Sequence, residues 1–177
     1  MRNHVVFDQT DILYAFAMLK QDARYKDIPH SKVLLLIEAA LEQGRTAAEK
    51  VVGQIGYLDA IQLCQHYQIQ LNEMPLYMIG KSVRGFYVNE PPAITINPSA
   101  VDELAINKGL ESSLIRKAIV FHEVYHFLER HGFGLTWQVI EPIWYKGLLG
   151  KKRRLHIETV CDIAAHSFAQ KDRKSVV

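Results

Sequence analysis

Cysteine is scarce: Cys64 and Cys161 are the only two in 177 residues. They stand far apart and in no C-x-x-C pair, so the chain offers neither a disulfide framework nor a thiolate zinc site. Both read as small buried apolar groups. Long apolar runs are missing as well. The longest, Val33 to Leu41, is interrupted by Glu38 and falls well short of the ~20 residues that cross a bilayer. The first eight residues lack the continuous apolar core of a secretory signal, so a cytoplasmic protein without a membrane partner is expected. An excess of one charge is absent too. A net charge of +2 gives no general attraction to nucleic acid. Internal repeats and low-complexity segments are not visible.

What is present describes a globular chain. Hydrophobic residues make up 49% and charged residues 23%, and the length suits one domain with a small extension. Apolar positions at helical spacing begin after Asp8 or Thr10 with Ile12, Leu13, Phe16 and Leu19. Asp27-Ile28-Pro29 breaks this helix. Ser31 then starts a second, expected to end near Gly44, and shorter helices follow over Thr46–Val52 and Leu58–His66. The first 56 residues are read as an N-terminal helical extension and 57–177 as the core, packed as one unit. From Ile69 the period changes to two. Short strands are expected around Ile69–Leu71, Leu76–Ile79, Arg84–Val88 and Ala93–Asn97, in a largely antiparallel sheet of three or four strands. The expected fold class is α+β, mainly helical. Residues 132–150 read as a partly helical excursion. Lys146 with Lys151 to Arg154 forms a basic cluster, read as a solvated helix start in preference to a nucleic-acid patch.

The chemistry is concentrated in Phe121-His122-Glu123-Val124-Tyr125-His126-Phe127, an H-E-x-x-H motif among the apolar residues Ile115, Ala118, Ile119 and Leu128. On a helix, residues four apart share a face, so the His122 and His126 imidazoles can converge on one ion. Glu123 is then placed to take a proton from a water held there. Two histidines leave a catalytic zinc one protein ligand short. The metzincin continuation fails, since Glu129 and Gly132 stand where Gly and His are required. The last helix, expected from Leu155 to Gln170, offers Glu158 and Asp162 four residues apart. Glu158 is read as the third ligand and Asp162 as the acceptor that orients a ligand histidine.

H-E-x-x-H followed by E-x-x-x-D is the gluzincin pattern. The order of parts resembles the ImmA/IrrE family of cytoplasmic metallopeptidases over residues 58 to about 170. The shared parts are Arg84-Gly85-Phe86-Tyr87, then Ile94-Thr95-Ile96-Asn97, then the His122–His126 helix. Last comes an E-x-x-A-(N/D)-x-x-A helix, read here on Glu158, Cys161, Asp162 and Ala165. Tyr125 stands where that family usually has Gly, and Cys161 where it often has Ala. The resemblance implies a zinc-dependent endopeptidase with one Zn2+ per chain, acting on a protein or peptide such as a transcriptional repressor.

In the implied mechanism Glu123 is the general base, held beside a zinc on His122, His126 and Glu158. His166, Tyr145 and His156 are candidates for an oxyanion donor, and spacing does not choose among them. The strand carrying Ile94, Thr95 and Ile96 would align an extended substrate if it lies at the sheet edge. The competing readings are a non-catalytic peptidase-fold binding or sensor module, with a structural or absent metal, and a nucleic-acid binder built on the basic cluster.

Overall fold

The computed structural model describes residues 8–57, 59–75, 77–78, 81–146 and 151–173. Leu58, Leu76, Ile79 and the 147–150 part of the excursion lie outside them. The chain is mainly helical and of the α+β class. Helix α1 spans Gln9–Leu19 and is capped by the Asp8 side chain, which accepts from the Thr10 amide. Helix α2 spans His30–Ile55, and α3 spans Ala60–His66 behind a capping box of Asp59 and Gln62. Strands β1 (Gln70–Glu73), β2 (Tyr77–Met78), β3 (Lys81–Ser82), β4 (Gly85–Val88) and β5 (Ala93–Ile96) follow. Then come α4 (Pro98–Lys108) and α5 (Ser112–Leu128), a π-helical turn over Glu129–Phe133, and α6 (Thr136–Val139). Strands β6 (Trp144–Lys146) and β7 (Lys152–Arg154) precede α7 (Thr159–Arg173).

The main sheet is mixed, not largely antiparallel. Its order is β1-β5-β4, with β5 parallel to β1 and antiparallel to β4. β5 is therefore the inner strand, and all four of its residues are buried. The condition under which Ile94, Thr95 and Ile96 would align a substrate, an edge position, is therefore not met. Leu71 pairs with Ile94 and Tyr87 with Ile94 from the other side, which consumes the backbone groups a substrate would need. Asn97 ends the strand with its amide nitrogen donating to the Val83 carbonyl at 2.9 Å. The basic cluster is also not a helix start. Lys152 to Arg154 form β7, paired antiparallel with β6 in a separate two-stranded ribbon.

Helix α2 does not stop at Gly44 but runs through it for 26 residues. Tertiary packing explains this, because α2 lies along α7 at that point. A Cβ at Gly44 would overlap the Ala164 carbonyl oxygen, so glycine here permits close approach of two helices and does not mark a helix end. The helices read as an extension thus support α7 directly. Ser167 Oγ donates to the Leu41 carbonyl at 2.8 Å, and Val33, Ile37, Ala40 and Leu41 share a core with Val160 and Ile163. The second half of α2 enters a neighbouring core with α5, Ile94, Ile96 and Phe168.

Two glycines of this helix should therefore respond to alanine with opposite signs. At Gly53 nothing lies near a Cβ, and alanine is expected to stabilise by up to about 1 kcal/mol. At Gly44 the obstacle is backbone and cannot rotate aside, so alanine should cost about 1–3 kcal/mol. Urea denaturation of the two variants checks the sign difference; equal shifts would refute the close packing.

Candidate metal centre

The site begins with the period of α5. Ile119, Glu123 and Phe127 recur every four residues on one face, and that face meets β4. Gly85 sits so close to Ile119 that a Cβ would come within 2.7 Å of its Cγ2, while the Tyr87 and Phe127 rings are 6.0 Å apart. His122 and His126 are offset from this face toward α7. Their rings are 4.9 Å apart at 78°, and their Nε2 atoms face each other at 3.2 Å.

The third group is Asp162. Its Oδ1 lies 3.4 Å from His126 Nε2 and 3.8 Å from His122 Nε2, and these three donors form a cluster able to hold a metal ion. Two ligands on a tetrahedral zinc with bonds of about 2.0–2.2 Å lie about 3.3–3.5 Å apart. The observed triangle has nearly those edges. Two imidazoles and a carboxylate is also a donor set that zinc accepts. Asp162 remains 47% exposed, so solvent reaches the cluster.

Glu158 does not join the group, which corrects its assignment as third ligand. The reason is where α7 starts. Asp22, from the turn after α1, accepts from Thr159 Oγ1 at 2.8 Å and from the Thr159 amide at 3.3 Å. This capping from another segment begins the helix at Thr159 and leaves Glu158 on the turn before it. The Glu158 side chain is 84% exposed and lies 3.7 Å from His156 Nε2. Asp162, expected to orient a histidine, is itself a member of the cluster.

A second acid, Glu129, contacts His126 from the other side of its ring. Glu129 is 1% exposed, and its Oε2 is 3.0 Å from His126 Nδ1. Its Oε1 accepts from the Thr136 amide at 2.7 Å and from Thr136 Oγ1 at 2.5 Å. Its spacing from His126, three residues along a helix, was the available signal.

The electrostatics follow from these contacts. Burial opposes charge on His126, but its bonds to Asp162 and Glu129 raise it to about 9. Burial likewise opposes ionisation of Asp162, and His122 and His126 nevertheless hold it well below the usual carboxylate range. Glu129 is also lowered despite burial, by His126 and Thr136. Glu123 is buried at 8% exposure, and none of the described residues hydrogen-bonds its carboxylate.

The three oxyanion candidates stand outside the cluster. The His166 ring lies 4.3 Å from Tyr14, with its Nε2 2.9 Å from Gln170 Nε2. Tyr145 is stacked under Arg24, whose guanidinium is 5.0 Å from the ring centroid. His156 packs against Trp137 at 4.2 Å. No helix among the described residues is long and apolar enough to cross a membrane. Compared with known proteins, the chain matches no family model, no curated sequence and no solved structure closely enough to assign it to a family.

Proposed function

We propose that this chain is a zinc-dependent endopeptidase of the ImmA/IrrE type, with His122, His126 and Asp162 as the protein ligands and Glu123 as general base. One observation carries the reading. Three donors from two helices converge at tetrahedral spacing, beside a buried glutamate that belongs to the same H-E-x-x-H turn. A cluster kept for stability would gain little from two imidazole nitrogens facing each other and one shared carboxylate oxygen.

Zinc bound there would polarise the scissile carbonyl and lower the pKa of a water to about 7. The chain's own residues do the rest. Glu123, which accepts no hydrogen bond from the described residues, takes the proton of the attacking water at its carboxylate and returns it to the leaving amine nitrogen. Its low exposure keeps bulk water from competing for that position. Among the described residues the sheet edge beside α5 belongs to β4, not to β5. An extended substrate would add its main chain to Gly85–Val88, a strand that Gly85 lets pack closely on Ile119 of α5. The motif order supports a protein substrate of regulatory kind, such as a transcriptional repressor.

The test is metal content together with cleavage. Protein purified without added metal is expected to hold about one zinc per chain, and chelation should abolish hydrolysis of a candidate repressor. Restoring zinc should restore cleavage and raise the unfolding temperature, since an ion that binds only the folded site stabilises it. Cleavage that survives complete chelation would refute the proposal.

A further inference from the structure

Glu129 is held more tightly than a stray acid at a helix end would be. The last turn of α5 widens into a π-helical turn at Glu129–Phe133, and insertions of this kind often mark functional positions. Glu129 itself keeps helical backbone angles, and its place three residues after His126 sets its carboxylate against that ring. Every polar contact the structure gives that carboxylate comes from a donor: His126 Nδ1, the Thr136 amide and Thr136 Oγ1.

The proton inventory then has one solution. The Thr136 hydroxyl spends its single hydrogen on Glu129, so at its 2.7 Å contact with Tyr125 it accepts, and the Tyr125 hydroxyl donates. Tyr125 is fully buried and stands where the resembling family usually has glycine. Its ring fills the space against Phe168, 5.6 Å away, and its hydroxyl closes the network. With Nδ1–H committed to Glu129, Nε2 is the His126 nitrogen left to face His122 and Asp162.

From this geometry we infer that Glu129, buttressed by Thr136 and Tyr125, is a positioning residue that fixes His126 as an Nε2 ligand and raises the hold of the site on its metal. The inference rests on the metal reading above. Partners of this kind on ligand histidines typically contribute 10- to 100-fold in metal affinity, and that is the loss expected for Glu129→Gln. An amide keeps the shape but not the negative charge that draws the Nδ1 proton.

The experiment is competitive titration of zinc against a chromophoric chelator, for the wild type and for Glu129→Gln. It is paired with proton NMR of the zinc-loaded proteins. The wild type should show a strongly downfield His126 Nδ1 proton in slow exchange, and Glu129→Gln should lose it along with the affinity. Thr136→Val removes one donor to Glu129 without touching the histidine. It should weaken zinc binding several-fold while keeping the resonance, and it carries the test if Glu129→Gln does not fold. Wild-type affinity within twofold and an unchanged Nδ1 proton in Glu129→Gln would overturn this inference alone. A wild type that binds no zinc would overturn the metal reading with it.

Discussion

Replacing Glu123 by glutamine is expected to leave zinc content unchanged and to lower hydrolysis by about 10²–10⁴-fold, the range a positioned general base contributes. The residue is suited to that separation of binding from chemistry. It lies on the face of α5 between Ile119 and Phe127, which contact β4, and is not one of the three atoms that converge on the ion position. Glutamine fills the same volume but cannot accept a proton. Because none of the described residues hydrogen-bonds the carboxylate, the substitution breaks no such bond, and stability should change little. The comparison therefore isolates proton transfer, measured as initial cleavage rates at matched zinc occupancy. Undiminished rates in the glutamine variant would remove Glu123 from the mechanism. A wild type that holds zinc but cleaves nothing would favour the binding or sensor module instead.

The parts of this site that could be read from the sequence are those fixed by local period. His122, Glu123 and His126 are placed by helical spacing alone, and the apolar residues around them specify burial. Other features depended on contacts distant in sequence. α2 continues through Gly44 because Ala164 lies against it, which no local signal reports. β5 is an inner strand because β1 pairs with it in parallel, a non-local choice that leaves the same alternation in the sequence as an edge would.

The third ligand failed for a similar reason. Which acid of the last helix faces the histidines depends on where that helix starts, and Asp22 sets the start. Small residues along α7, Ala164 and Ala165 among them, permit the close packing of α7 that brings Asp162 to the histidines.

The two acids of this segment should consequently separate in a single experiment. Asp162→Ala removes one of three ligands, and the zinc content of the purified protein should fall from about one per chain to near zero, with cleavage lost alongside. Glu158→Ala should retain both, because its side chain is 84% exposed and lies 3.7 Å from His156; exposed pairs of this kind contribute at most about 1 kcal/mol. The direction of any stability change adds a second check. In the absence of zinc, Asp162 is the carboxylate that both imidazoles share, so its loss should also lower the pKa of His126 from its raised value, which histidine NMR titration reads without any metal. Glu158→Ala has no route to that imidazole and should leave the titration unchanged. The opposite pattern, zinc lost with Glu158 and kept without Asp162, would mean that α7 starts a turn earlier in solution and that Asp22 does not set its first residue.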